Sequence, residues 1–466
     1  MGDKLFGTDG IRGIPGKPPL DAETIRYIGY AIAEYLYNKY KNNRWPKIII
    51  SRDTRISGEF IFANLVKGIN SFKKTVEIID IGIFSTPGTS YIVRKYNALG
   101  GVVISASHNP AEFNGIKVFS PYGNKLPDMG EKIIEEKIRE VKFSSKRSMN
   151  NRRRGIIYLD TQAKKEYKEY ILNIIDDGDF LRSKRIVVDC ANGANYKIAK
   201  EIFDVLCDEV KYIGISPNGK NINLNCGTLS LGKVKRIVKE FRADFGLSFD
   251  GDGDRVVFID EKCGLIDGDG IVYLLGIYMK KKGLLNPQKV VLTEVSNYGV
   301  IETLHKNGIG TVIAKVGDKN VYNTMVKYNI KLGGEKAGHV IIKSFGVTGD
   351  GLITAMNVIN AYCALSNNKT MTFSSLFKRM SLYFQKSFNL EIPGDENRHV
   401  MKKIKREIER ELVCRFDNLR FVIRPSGTEP LLRILFESKE KGVVDNCYKF
   451  LRKLIKTFSI IRGEIG

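Results

Sequence analysis

Residues 243–255 read ADFGLSFDGDGDR. The apolar part has the length and composition of a buried strand. It stops in a turn where Asp250, Asp252 and Asp254 alternate with Gly251 and Gly253. Three carboxylates so close together repel one another, and a hard divalent cation removes that cost. Mg²⁺ prefers oxygen ligands in octahedral geometry, and the glycines let the backbone curl until the side chains converge. Arg255 is adjacent, placed to share the charge of a phosphate oxygen on the same ion. A solvated acidic turn is the plain alternative. An EF-hand would place Glu261 at its twelfth position, but its sixth would be Arg255 where glycine is needed.

The same scheme of an apolar strand ending in a polar loop recurs along the chain. It appears at KIII (47–50), VEIIDIG (76–82), GVVI (101–104), KRIVVDCANGA (184–194) and QKVVLTEVSN (288–297). Helical spacing lies between strands, as in Asp21–Tyr40 with Ile25, Ile28, Ile32 and Leu36 and with Asp21 as N-cap. Strands alternating with helices predict βαβ units and a parallel sheet, with ligands at the carboxyl ends of the strands. Domain boundaries are expected at the basic stretch 146–154, just after Arg255, and at the polar cluster 366–370. The four units are then 1–154, 155–255, 256–370 and 371–466. The last opens with a charged helix, Met401–Leu412, and a strand, 419–423.

The 466 residues are 43% hydrophobic and carry 75 Lys+Arg against 52 Asp+Glu, a formal charge of +23. The basic residues are mostly scattered, with one dense run at Arg152–Arg154. Compositional bias together with an anionic small-molecule substrate accounts for this better than a nucleic-acid interface. Seven cysteines lie far apart without a CxxC pair, which argues against a zinc site and a disulfide framework and for reduced thiols in a cytoplasm. The charged, Gly-rich start is unlike a signal peptide. The apolar run Leu352–Leu365 contains two asparagines and falls short of the ~20 residues of a membrane span.

Other polar loops carry candidate chemistry. SASHNP (105–110) follows a strand and holds Ser107. A lone serine needs activation, and no GxSxG elbow is present, so a phosphoryl carrier fits better than a hydrolase nucleophile. RPSGTEP (424–430) offers Arg424 for bidentate binding and Ser426, Gly427 and Thr428 for a backbone nest around phosphate. GGEKAGH (333–339) joins Glu335, Lys336, Ala337 and His339, with Glu335 able to accept from sugar hydroxyls or an amino group. Arg12, Arg52 and Arg55, in GTDGIRG (7–13) and SRDTRISG (51–58), are candidate anion partners. GISPNGKN (214–221) fails as a P-loop because Asn221 stands where Ser or Thr should reach the metal.

Taken together and in order, these motifs resemble those of the alpha-D-phosphohexomutases, and within them the bacterial phosphoglucosamine mutases. LFGTDGIRG (5–13), SASHNP with NGIK (114–117), DGDGDR, VGDK (316–319), GGEKAGH, TGDG (348–351) and RPSGTEP carry the likeness across essentially the whole chain. The resemblance implies an α/β fold of four domains around a central cleft, three related α/β domains with mixed sheets and a smaller C-terminal α+β domain. It implies a phosphorylated Ser107 that, with Asp250, Asp252 and Asp254, binds one Mg²⁺. Lys117, His108 and Arg12 would serve the transfer. Glu335 and its loop, Arg255, and Arg424 with the phosphate loop would bind the sugar phosphate. The implied reaction interconverts glucosamine 6-phosphate and 1-phosphate through a 1,6-bisphosphate. The same chemistry on glucose or mannose phosphates is the alternative. A monomer or homodimer, with no membrane or specific nucleic-acid partner, completes the expectation. Lys336 and Ala337 replace the Gln and Ser usual in the sugar loop, and Lys319 replaces an Arg.

Overall fold

The computed structural model describes residues 4–7, 9–40, 46–144, 157–366, 371–391, 398–425 and 431–463. In the first of four sheets, Lys47–Arg52 lies between parallel neighbours Glu77–Ile83 and Gly100–Ile104. Its residues Ile48, Ile49 and Ile50 are buried on both faces, as a parallel strand covered by helices requires. Asn114–Phe119 then turns back antiparallel to Gly100–Ile104, and Ile11–Gly13 joins its outer edge. The helix expected from Asp21 runs Ala22–Tyr40, and the Asp21 carboxylate accepts from the Thr24 amide (3.0 Å).

The second sheet places Arg185–Asp189 between Glu209–Ile213 and Phe245–Phe249, both parallel to it. Val256–Asp260 and Leu265–Ile266 extend it antiparallel. The third sheet has parallel Lys289–Thr293, Gly310–Ala314 and Leu332–Gly334, closed by antiparallel Val340–Ile342. The fourth is wholly antiparallel, with Leu431–Ser438 between Phe384–Glu391 and Arg420–Pro425.

Two expectations need correction. Three sheets are mixed, as the resemblance implied, rather than purely parallel, and the fourth is antiparallel, because every one contains two consecutive strands paired antiparallel. Moreover, the boundary expected just after Arg255 falls inside such a hairpin, since Val256–Asp260 pairs residue by residue with Phe245–Phe249. The SASHNP, DGDGDR and GGEKAGH loops are the turns of the first three hairpins. Each leaves the end of a parallel strand, where main-chain dipoles and open space favour a ligand.

One continuous apolar core runs from Phe84 and Tyr167 through Phe245 and Phe258 to Leu352 and Tyr362. The fourth sheet has a separate core of Ile408, Leu412, Ile423, Ile434, Phe436 and Leu451. The apolar run near residue 352 is the helix Gly351–Leu365, buried within the protein. Its Asn360 side chain donates to the Ile174 carbonyl (2.7 Å) and accepts from the Asp176 amide (3.0 Å). Among the described residues no helix is long and apolar enough to cross a membrane.

Candidate active site

The first and second hairpin turns meet face to face. Ser107 Oγ donates to Asp250 Oδ2 at 2.7 Å, and both residues are buried. Ser107 sits in the left-handed region (φ 53°), a backbone state costing about 1 kcal/mol for a side chain with a Cβ. Arg55 holds it there. Its guanidinium donates to the carbonyls of Ser107 (2.9 Å), Asn109 (2.8 Å) and Phe113 (3.0 Å) and to Asp53 (2.9 Å). Arg55 is therefore the frame of the serine loop rather than an anion ligand. Arg52 is likewise committed, to Asp80 and Glu59 (both 2.7 Å).

Close approach of the turns depends on Gly251. A Cβ there would lie 2.5 Å from the Ser107 carbonyl oxygen. The three aspartates place one carboxylate oxygen each within 4.8 Å of one another. Buried oxygens Asp252 Oδ1 and Asp254 Oδ1 have no hydrogen-bond partner among the described residues. Burial, and then the Asp254 and Asp252 charges, push the Asp250 carboxyl well above the ordinary range. Two like charges 4 Å apart repel by roughly 4 kcal/mol at an effective dielectric of 20, so this oxygen-only cage is short of positive charge. Its donor set fits a hard cation such as Mg²⁺, with Ser107 as the fourth oxygen.

Lys117, buried in the strand Asn114–Phe119, bonds Asp252 Oδ2 at 2.5 Å and lies 3.8 Å from Asp254. Burial opposes its charge, but Asp252 and Asp254 overcome this and hold the ammonium above its ordinary pKa. The group is thus a fixed cation. His108 behaves oppositely. Burial, then Arg255 and Arg12, push it down to about 4, so it is neutral at pH 7, with Nδ1 3.4 Å from Ser107 Oγ. Arg12 bridges Asn109 (3.1 Å) and Asp9 (2.8 Å).

Beside this pair of turns opens a cleft of about 490 Å³. His108, Asp254 and Arg255, Glu335, and Arg424 reach it from the first, second, third and fourth sheet units in turn. Glu335 is oriented by the Gly317 amide (2.8 Å). His339 accepts from the Gly349 amide through Nε2 (3.1 Å), leaving Nδ1 for another partner. Lys336 also lines the cleft, but its amine is turned to Gln385 and Asp267, tying the sugar loop to the fourth sheet. Ala337 is exposed in the cleft wall. Lys319 does not reach into this cleft, because Glu131 (2.5 Å) and Asp128 (3.4 Å) hold it. Ser426, Gly427 and Thr428 lie outside the described residues.

Sequence reasoning missed two groups. Lys125 is buried between Asp9 (2.9 Å) and Asp318 (2.5 Å), joining the first and third units at the cleft. Arg433, on the returning strand, stands directly opposite Arg424 in the ladder, and both line the cleft. Like charges across a ladder destabilise a sheet. Burial and then Arg433 lower the Arg424 pKa.

A buried serine on an acidic cage, next to a cleft walled by arginines, defines a phosphoryl-transfer enzyme. The chain matches the three alpha/beta/alpha domains and the C-terminal domain described for phosphoglucomutase/phosphomannomutase, at residues 3–145, 165–264, 267–383 and 389–454. It is 40% identical to the phosphoglucosamine mutase of Clostridium acetobutylicum over 463 residues, covering 97% of this chain and 99% of the relative. It is 37% identical to that of Geobacillus kaustophilus over 471 residues, covering 99% of each. The fold matches a phosphoglucomutase/phosphomannomutase family protein of Burkholderia thailandensis (TM-score 0.77, 20% identity, 97% of each chain). It also matches the N-acetylphosphoglucosamine mutase of Aspergillus fumigatus, solved with GlcNAc-6P and magnesium (TM-score 0.62, 17% identity, 95% of this chain and 93% of that one). The chain belongs to the phosphoglucomutase/phosphomannomutase family, the alpha-D-phosphohexomutases, and is an isomerase that moves a phosphoryl group.

Proposed function

We propose that this isomerase is a phosphoglucosamine mutase that interconverts glucosamine 6-phosphate and glucosamine 1-phosphate, with Ser107 as phosphoryl carrier. The observation that carries the reading is the bond from Ser107 Oγ to Asp250, inside a cage of three buried aspartates. The names of the full-length relatives support the amino sugar. Asp250, Asp252, Asp254 and a Ser107 oxygen would hold one Mg²⁺, which would neutralise charge on the transferring phosphoryl group.

This chain's residues do the remaining work. Arg424 and Arg433 grip the phosphate that does not react, and the unoccupied hydroxyl then faces Ser107. The phosphorus–oxygen bond to Ser107 breaks as the bond to the sugar hydroxyl forms. That hydroxyl's proton passes over to the serine oxygen, which returns to Asp250. Lys117, Arg255 and Arg12 are fixed cations around the transfer, worth most where charge is spread over the phosphoryl oxygens. Lys117, permanently charged beside Asp252, acts electrostatically rather than as a base. His108 stays neutral and adds no repulsion to Arg255. A 1,6-bisphosphate forms, turns in the cleft, and returns its other phosphate to Ser107. An anchor made of two opposed guanidiniums suits this, because it binds a phosphate without regard to which carbon bears it. The enzyme would work in the cytoplasm as a monomer or homodimer.

Ala337 offers no hydroxyl to the sugar and Lys336 points to Gln385, and these observations keep glucose or mannose phosphates in view as substrates. Comparison of kcat/KM on glucosamine, glucose and mannose 6-phosphates decides the matter. A preference for glucosamine is expected, and equal or better turnover of another sugar would replace this substrate assignment.

A further inference from the structure

A second cavity of about 490 Å³ shares no lining residue with the cleft. It lies where the strand Glu77–Ile83 of the first sheet meets the helices Gln162–Leu172 and Tyr196–Leu206. Lys164, Lys165, Lys168 and Lys197 line it, against two carboxylates, Asp160 and Glu201. Both acids are engaged. Asp160 accepts from the Gln162 amide (2.7 Å) and Glu201 pairs with Lys168 (3.1 Å). Lys164, Lys165 and Lys197 have no ion pair or hydrogen bond among the described residues. Burial, then Lys197 and Arg52, lower the Lys164 pKa against the opposing charges of Asp80 and Glu201, and four lysines facing two carboxylates leave an excess of positive charge here. The helix Tyr196–Leu206 also starts at this cavity, and the amides of Lys197 and Ile198 donate to no group among the described residues. Such an N-terminus favours anions.

We propose that this cavity is a regulatory site for a small molecule bearing two or more linked phosphates. Its volume falls in the range of small-ligand pockets, and its three unpaired lysines and open helix end match a phosphate chain rather than one monoanion. Its walls are continuous with the metal turn. The amide of Ala194, in the wall, donates to the Gly251 carbonyl (2.8 Å). Thr86, two residues beyond Phe84 of the wall, donates to Asp252 through its amide (2.9 Å) and its hydroxyl (2.5 Å). An occupant that draws these walls together shifts the aspartates and so changes turnover.

The test uses tripolyphosphate at fixed free Mg²⁺. Calorimetry is run on the wild-type enzyme, on Lys164→Gln/Lys197→Gln and on the cleft variant Arg424→Gln, with kcat measured in parallel. The double variant is expected to keep wild-type kcat without the anion, to bind tripolyphosphate at least about tenfold more weakly, and to lose the anion-dependent change in kcat. Arg424→Gln is expected to retain the binding. Equal affinity in wild type and double variant, loss of binding in Arg424→Gln, or unchanged kcat with the anion bound would each overturn the proposal. The calorimetric arm needs no turnover, so it stands apart from the reading of the reaction.

Discussion

Substitution of Gly251 by alanine tests the meeting of the two turns with one carbon atom. That Cβ would sit 2.5 Å from the Ser107 carbonyl oxygen, 2.8 Å from Asn223 Nδ2 and 2.9 Å from Ile222 Cδ1. Carbon needs roughly 3.5 Å, so the serine loop must retreat by about 1 Å. It cannot do so freely, because Arg55 and Asn223 hold the Ser107 carbonyl at 2.9 Å each. Crowding of this kind costs about 1–3 kcal/mol of stability. A 1 Å displacement of a reacting group costs on the order of 10²-fold in rate, equivalent to about 2.7 kcal/mol of barrier. The expected result is a hundredfold fall in kcat for glucosamine 1-phosphate formation, with KM changed only a few-fold because the arginine anchor is untouched. Gly232→Ala is the control, since nothing lies within 4 Å of its Cβ. A Gly251→Ala enzyme within threefold of wild-type kcat would refute the argument that the serine must touch the acidic cage.

Removing Mg²⁺ with a chelator should abolish turnover and lower Tm, and restoring it at about 100 times Kd should return roughly 2.7 kcal/mol of stability; thermal unfolding with and without the ion measures this. Arg433→Gln, which removes one jaw of the phosphate anchor, should raise KM about ten- to a hundredfold, as steady-state kinetics will show. Asp350 caps the helix Gly351–Leu365 and is pushed up to about 6 by burial, against bonds from Tyr167, Ile353 and Leu352. Its folded value exceeds the ordinary 3.8, so the folded chain binds its proton more tightly. Stability from this group is complete below about pH 3 and is lost as pH rises from 3.8 through 6, by about 3 kcal/mol in all. Asp350→Asn should flatten that part of the curve of urea midpoint against pH.

The metal turn was legible because all three aspartates lie within five consecutive residues, and a charge conflict on that scale needs no tertiary knowledge. Ser107 was legible only as one member of an ordered set of motifs. The opposed pair Arg424 and Arg433 was not legible, because their meeting depends on the register of two strands joined through a turn. Lys125 was hidden for the same reason, since its partners Asp9 and Asp318 lie in different units. Arg55 was misread because a polar, Gly-flanked loop looks the same whether its arginine awaits an anion or fastens its own neighbours. The parallel-sheet expectation failed where strand and loop are followed by a returning strand instead of a helix, as at the SASHNP, DGDGDR and GGEKAGH turns.

Mapping phosphorylation on the purified protein tests the central claim most directly. The account predicts a single phosphoryl group on Ser107, discharged by added glucosamine 6-phosphate, and near-complete loss of turnover in Ser107→Ala. Full activity in that alanine variant, or a stable phosphoryl group at another residue that alone responds to substrate, would contradict it.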